Sequence, residues 1–399
     1  MADAETRGRA GVGQGLVLVI IAFLPILAIV SLAPSVPKII SHFAGLPDAA
    51  TWVPLMVTAP GLMIALLSPL AGVLTDRVGR RAPLLVAIFF YGLFGTAPYF
   101  LDSLSAIFAT RFGVGICEAV ILTVSNTLIA DYFALDSRRR WLTVQAVAGP
   151  ILATATIIGS SILTGRRWNG GFLIYGAAFL IFAVALVLVF EPEVKREASA
   201  ALPMAGRPFP WRTVLRYVSV TLFSSILYYV FIVNGGTALT AVGVDSPERL
   251  GVLISIASIG VPAGALLFGW LAKKWSSGAL IGAFLGCLGV GLLAIGLSRN
   301  PTMLVSVAVI QQIGAGMAVP ALIFWVSRLL EPEFRGRGMG FWACAFFLGQ
   351  FISPAIVGLI SSRAGGILAA FSAMGCVALL GGALAVVMTR RGQRLSADD

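Results

Sequence analysis

Apolar stretches of about 20 residues, the length that spans a bilayer as a helix, recur from near the N-terminus almost to the C-terminus. Each is bounded by short clusters of charge, Gly and Pro. A helix satisfies its own backbone groups in hydrocarbon, so the pattern predicts spanning helices near 16–37, 51–74, 83–101, 105–131, 141–164 and 171–190. Further helices follow near 213–242, 249–272, 279–297, 301–328, 340–362 and 366–389. The segment EPEVKREASAALPMAGRPFPWR, from Glu191 to Arg212, is polar and separates two sets of six. The expected fold is therefore all-α and integral to the membrane, with twelve transmembrane helices in two six-helix bundles. An N-terminal bundle over 1–190, a cytoplasmic linker over 191–212 and a C-terminal bundle over 213–399 are the expected domains.

Composition sharpens this picture. Of 399 residues, 58% are hydrophobic and 11% are charged, whereas soluble domains carry roughly a quarter charged residues. So few charges cannot cover an aqueous surface. The formal net charge of +11 invites a nucleic-acid partner, but the Lys and Arg residues are not gathered in one patch. Most lie in the tails, the linker and the even-numbered gaps, with Arg166 and Arg167 as the main exceptions. This is the positive-inside bias. It predicts a multi-pass protein of the inner (plasma) membrane with both termini cytoplasmic, and it explains the charge without nucleic acid. The short tail with Arg7 and Arg9 is not followed by a small-residue cleavage site, so the first run reads as a retained helix. Cys117, Cys287, Cys344 and Cys376 fall inside apolar runs without paired spacing, which suggests neither disulfides nor a metal site.

The two halves echo one another at offsets of about 200 residues, as expected of fused, pseudo-symmetric repeats. GVLTDRVGRR from Gly72 matches GWLAKKWSSG from Gly269, Gly149-Pro150 matches Ser353-Pro354, and WNGGFLIYG from Trp168 matches RAGGILAAF from Arg363.

Twelve helices, a mid-chain linker and GVLTDRVGRR between the second and third helices together resemble the major facilitator superfamily of secondary transporters. Gly72, Leu74, Asp76, Arg77, Gly79, Arg80 and Arg81 fill every position of its signature loop. The resemblance implies that this loop gates. Asp76, at a helix end, is suited to accept hydrogen bonds from the amides of Gly336 to Gly340 at the start of the eleventh helix. Arg80 is then placed to pair with Asp131 at the end of the fourth.

The fourth helix, ATRFGVGICEAVILTVSNTLIADYF, carries Arg111 and Glu118, ionisable residues within the hydrocarbon, where charge is costly and usually functional. Seven residues apart, they share a face with an axial gap of about 10 Å. Burial and a neighbouring guanidinium act in opposite senses on a carboxyl group, which suits Glu118 to proton coupling. Arg111, Gly115, Glu118 and Ala119 resemble the fourth helix of spinster-type transporters, although the first helix lacks the acidic residue expected in that group. AGPILATATIIG, with Gly149 and Pro150 as a helix hinge, and RGRGMGFWACAFFLGQFISP resemble drug and metabolite exporters.

Further polar and aromatic residues at mid-depth form a candidate cavity: Tyr228, Tyr229 and Asn234 on the seventh helix, Gln311 and Gln312 on the tenth, and Trp342, Phe346 and Gln350 on the eleventh. Asn234-Gly235-Gly236 is expected to unwind the outer part of the seventh helix. Lys38 and His42 are expected at the outer rim, where long side chains snorkel.

The expected function is secondary active transport by alternating access: a proton-coupled antiporter exporting a small organic or amphipathic compound. Its energy source is the proton gradient, it needs no cofactor, and its partners are the small-molecule substrate, protons and the lipid bilayer, with the chain monomeric. Proton-coupled uptake of an organic anion, with Arg111 on the carboxylate, is the alternative within transport. A non-transporting membrane sensor is the alternative outside it. The chain lacks a phosphate-binding loop, an HExxH string and a plausible catalytic triad, His42 being its only histidine, so no enzyme is expected.

Overall fold

A computed structural model describes residues 10–192, 209–331 and 334–395. The side chains of Val73, Asp76, Leu135, Arg335 and of residues from 389 onward lie outside that description, as does most of the expected linker. The first half contains α1 (Val12–Val30), α2 (Val36–His42), α3 (Ala49–Val78), α4 (Arg81–Thr96), α5 (Leu104–Tyr132), α6 (Leu135–Arg166) and α7 (Ala177–Leu188). The second half contains α8 (Trp211–Ala241), α9 (Pro247–Ser258), α10 (Gly260–Leu271), α11 (Ser277–Gly296), α12 (Pro301–Leu329), α13 (Arg335–Ala364) and α14 (Ile367–Leu395). The described residues contain no strand. Among the described residues, twelve helical segments are long and apolar enough to cross a membrane.

Three spans differ from the single helices expected. The first, expected over 16–37, is broken between Val30 and Val36. Pro34 and Pro37 supply no amides, which removes two helical hydrogen bonds three residues apart. The sixth begins with a tight 3-10 stretch, Gly170–Gly176, before α7. The eighth is divided between α9 and α10 at Ile259, because Pro262 cannot donate to the carbonyl of Ser258. The eleventh starts earlier than expected, at Arg335, so the later amides of the Gly336 to Gly340 run lie inside a helical turn.

Within each half the helices approach closely at glycine. A Cβ on Gly115 of α5 would lie 2.6 Å from the backbone of Pro60 in α3, so the two helices can cross there only without a side chain. The halves meet through α3 against α13, α6 against α9, and α2 against α8. Gly236 of α8 faces the carbonyl of Ala33, Gly251 of α9 faces Ser161, Gly165 faces Glu248, and Gly358 of α13 faces Thr51. Deeper, Thr58 Oγ1 donates to the Phe351 carbonyl at 3.5 Å, and Cys344 Sγ donates to the Ala65 carbonyl at 2.9 Å.

These approaches crowd toward the side opposite the chain termini. On the terminal side of the Ala65–Cys344 contact, α3 turns Leu66, Leu70 and Leu74 outward. Val147 and Ile151 of α6, and Leu266 and Trp270 of α10, are exposed as well, while Ile157, Ser160, Ser161 and Thr164 of α6 are packed away. The halves are therefore joined on the far side and part toward the termini.

Candidate functional site

Arg111 is fully buried and Glu118 is 1% exposed. Their shared face of α5 turns into the first half, toward α1, α4 and the 3-10 stretch before α7. Arg111 Nη2 donates to the carbonyl of Ala28 at 3.3 Å, and Tyr175 Oη donates to the same oxygen at 2.7 Å. The guanidinium lies 5.0 Å from the Tyr175 ring centroid. Tyr91 Oη donates to the Leu24 carbonyl at 2.7 Å, and its ring sits 5.3 Å from that of Tyr175.

The break in α1 explains this arrangement. Ala28 belongs to the last turn of α1, whose carbonyls lack helical donors and carry the negative end of the helix dipole. A guanidinium is well matched to that position, and an aromatic face adds further stabilisation. The match is incomplete. Arg111 Nε and Nη1 and Glu118 Oε1 are buried without hydrogen-bond partners, and no ion pair joins the two residues within 4.0 Å. Glu118 lies within electrostatic range of Arg111, Tyr91 and Tyr175, and of Tyr229 from the second half.

On the opposing half, Tyr228, Tyr229, Phe346 and Trp342 form an aromatic wall. Tyr228 and Tyr229 lie 5.5 and 5.6 Å from Phe346, and Trp342 stacks on Phe346 at 5.4 Å. The Trp342 indole nitrogen is buried without a partner. Gln350 packs beside Gly61 of α3, where the halves touch.

Other candidates lie elsewhere. Gln311 sits on Gly291 of α11, and Gln312 Nε2 donates to Ser258 Oγ at 3.5 Å, so both face neighbours inside the second half. Asn234 lines a cavity of about 150 Å³ on the far side with Asp48, Thr51, Thr237 and Ser361. The expected unwinding at Asn234-Gly235-Gly236 is corrected: α8 runs unbroken to Ala241. Glycine at 236 serves close approach, since a Cβ there would stand 2.7 Å from the Ala33 carbonyl. Gly149 and Pro150 lie within a continuous α6. Lys38 Nζ donates to the carbonyls of Thr164 and Gly165 at 3.1 and 3.2 Å, and His42 stacks on Trp168 at 3.9 Å.

At the signature loop, Gly79 adopts φ +97°, which glycine tolerates best. Thr75 Oγ1 donates to the Gly72 carbonyl at 3.0 Å, and Arg80 forms an ion pair with Asp131. The side chain of Asp76 lies outside the described residues; Arg77 lies in the last turn of α3, which Gly79 ends. Sequence reasoning missed Glu191, which it assigned to the linker. Its carboxylate accepts the amides of Arg80 at 2.8 Å and Arg81 at 2.7 Å, capping the start of α4. Arg81 reciprocates by donating to the Val189 and Leu186 carbonyls at the end of α7. Tyr91 and Tyr175 were also missed, because a tyrosine in an apolar run carries no periodic signal.

Twelve spans in two halves that part on one side, with buried charge on the fourth span, define a membrane transporter. The chain belongs to the Major Facilitator Superfamily, whose family model matches residues 18–245 and 221–398. It is 25% identical to Multidrug resistance protein 1 of Bacillus subtilis (strain 168) over 365 residues, 85% of this chain and 87% of the relative. Its fold resembles a bacterial homolog of the human lysosomal transporter Spinster in an inward-facing and occupied conformation, with a TM-score of 0.76, 17% identity and coverage of 94% and 96%. It also resembles a D-xylose-proton symporter, with a TM-score of 0.77, 14% identity and coverage of 94% and 96%.

Proposed function

We propose that this transporter is a proton-coupled antiporter that exports a small organic or amphipathic compound by alternating access. It resides in the inner (plasma) membrane with both termini cytoplasmic, so the parted side faces the cytoplasm. The observation that carries the reading is the pair Arg111 and Glu118: both buried, close enough to interact, and both short of partners. Charged groups left so in a low-dielectric interior are costly, unless the carboxyl carries a proton or a second arrangement satisfies them. Proton loss from Glu118 leaves a carboxylate that draws the free donors of Arg111 away from the end of α1. Reprotonation releases them. The aromatic wall of Tyr228, Tyr229, Trp342 and Phe346 stands across the interface and suits a substrate with a flat or apolar body, with the Trp342 N–H available to a polar group. The likeness to a multidrug resistance protein supports export.

The two unpartnered donors of Arg111 favour one second reading, uptake of an organic anion with proton symport. Transport by Glu118→Gln in everted vesicles tests the coupling. For a compound found by thermal stabilisation of the purified protein, the variant should still exchange substrate down its gradient but fail to drive it uphill with a pH gradient. Uphill movement in that variant removes Glu118 from coupling. Acid-driven loss of substrate from the lumen, in place of accumulation, favours symport.

A further inference from the structure

On the terminal side, remote from Arg111 and Glu118, a recess of about 260 Å³ lies where three helices end or begin. Gly11 and Val12 open α1, Phe133 and Ala134 lie between α5 and α6, and Ser137 and Trp141 belong to the first turns of α6. Trp141 forms one wall. It packs on Gly15, where even a methyl group would collide with the indole, and stands 5.5 Å from the Phe133 ring. Among the described residues, no acidic side chain lines the recess. Gln14 Oε1 accepts the Gly11 amide at 3.0 Å and Asp136 stands in the first turn of α6, but neither Gly11 nor Ala134 has a side chain that caps the amides after it, so the positive ends of two helix dipoles meet here.

Charge outside the recess has the same sign. At about 100° per residue, Arg138 and Arg140 fall on either side of the Ser137–Trp141 line, while Arg139 points away. All three are exposed, and none has a carboxylate partner among the described residues, Asp136 of the same turn included. From the recess, Val12, Leu16 and Ile20 run along α1 as a stripe 68, 48 and 39% exposed. The stripe lies between the flank where Gly13 meets Leu188 of α7 and the flank where Gly15 meets Trp141. Topology alone explains the presence of arginines. It does not require a recess between them or an apolar track leading from it.

We propose that this recess binds the headgroup of an anionic phospholipid in the leaflet on the terminal side. The phosphate lies between the starts of α1 and α6 and the guanidinium groups of Arg138 and Arg140, and an acyl chain follows Val12, Leu16 and Ile20. A free phosphate satisfies the polar part of the site but leaves the apolar stripe unused.

Native mass spectrometry of the full-length protein in detergent, with phosphatidylglycerol or phosphatidylcholine of the same acyl chains, tests this. The wild type should retain phosphatidylglycerol in preference. Arg138→Gln/Arg140→Gln should lower that retention about tenfold or more, and Ser137→Phe, which fills the recess, should lower it without changing charge. The charge-matched control Arg139→Gln/Arg212→Gln should keep it. Equal retention of the two lipids by the wild type, or equal losses in both double variants, overturns the site. Displacement of phosphatidylglycerol by millimolar inorganic phosphate overturns its assignment to lipid. If the arginine variant does not fold, Ser137→Phe decides alone.

Discussion

Arg111 Nη2 reaches the carbonyl oxygen of Ala28 at 3.3 Å, so the guanidinium is held by the broken end of α1 and not by Glu118. A helix that ends inside a bundle must find donors for its last carbonyls, and here the donors are Arg111 and Tyr175. The buried charge and the interrupted helix therefore explain each other.

Arg111→Lys should keep the charge yet lose the planar donor fork and the contact with the Tyr175 ring. Losing one charged hydrogen bond of about 1.5–3 kcal/mol predicts roughly a tenfold or larger fall in uphill transport. The unfolding temperature should also drop by a few degrees. Flux assays and thermal unfolding of the same preparation check both effects.

Gly236→Val places side-chain carbon against the Ala33 carbonyl, where a Cβ has only 2.7 Å. The halves should then close poorly on the side opposite the termini. Spin labels at Leu46 and Asp245, both exposed on that side, should report a larger fraction of long distances than in the unmodified background.

Cys344 bonds to Ala65 of the other half at 2.9 Å, near the point from which the halves part. Alkylation of this partly buried thiol by N-ethylmaleimide adds bulk where α3 and α13 must converge for the terminal side to close. Transport should stop on labelling, whereas Cys344→Ala should transport and resist the reagent.

Glu191→Ala removes the carboxylate that accepts two amides at the start of α4. Loss of such a cap costs about 0.5–2 kcal/mol, which should lower the unfolding midpoint measurably. Glu191→Asp should recover part of the loss, and Val189→Ala, which leaves both hydrogen bonds, should show little of it.

The spanning pattern was legible because hydrocarbon imposes one length and one polarity on every crossing, and the Arg80–Asp131 pair was legible because the signature loop carries the spacing that makes it. The break in α1 was harder to read. Pro34 and Pro37 lie in an otherwise apolar run, and Pro25, Pro54, Pro60 and Pro69 show that proline alone does not end a span. What separates the cases is two prolines three apart, with Ser31 before them and Ser35 between them, whose groups bond across to α6. The direction in which Arg111 points was hidden for a related reason: its anchor is a main-chain oxygen, which no residue type announces. Gln311 and Gln312 were grouped with the aromatic wall by depth alone, and depth does not tell which neighbour a side chain meets.

Ser35 Oγ lies 2.6 Å from Thr164 Oγ1, Ser160 bonds to the Ser31 carbonyl, and Lys38 holds the last carbonyls of α6. Through these stitches the short outer piece of the first span is tethered to the fifth rather than to its own continuation. When the far side opens, the two should travel as a single plank, and the kink beside Ala28 should flex like a leather strap while the timber on either side stays stiff.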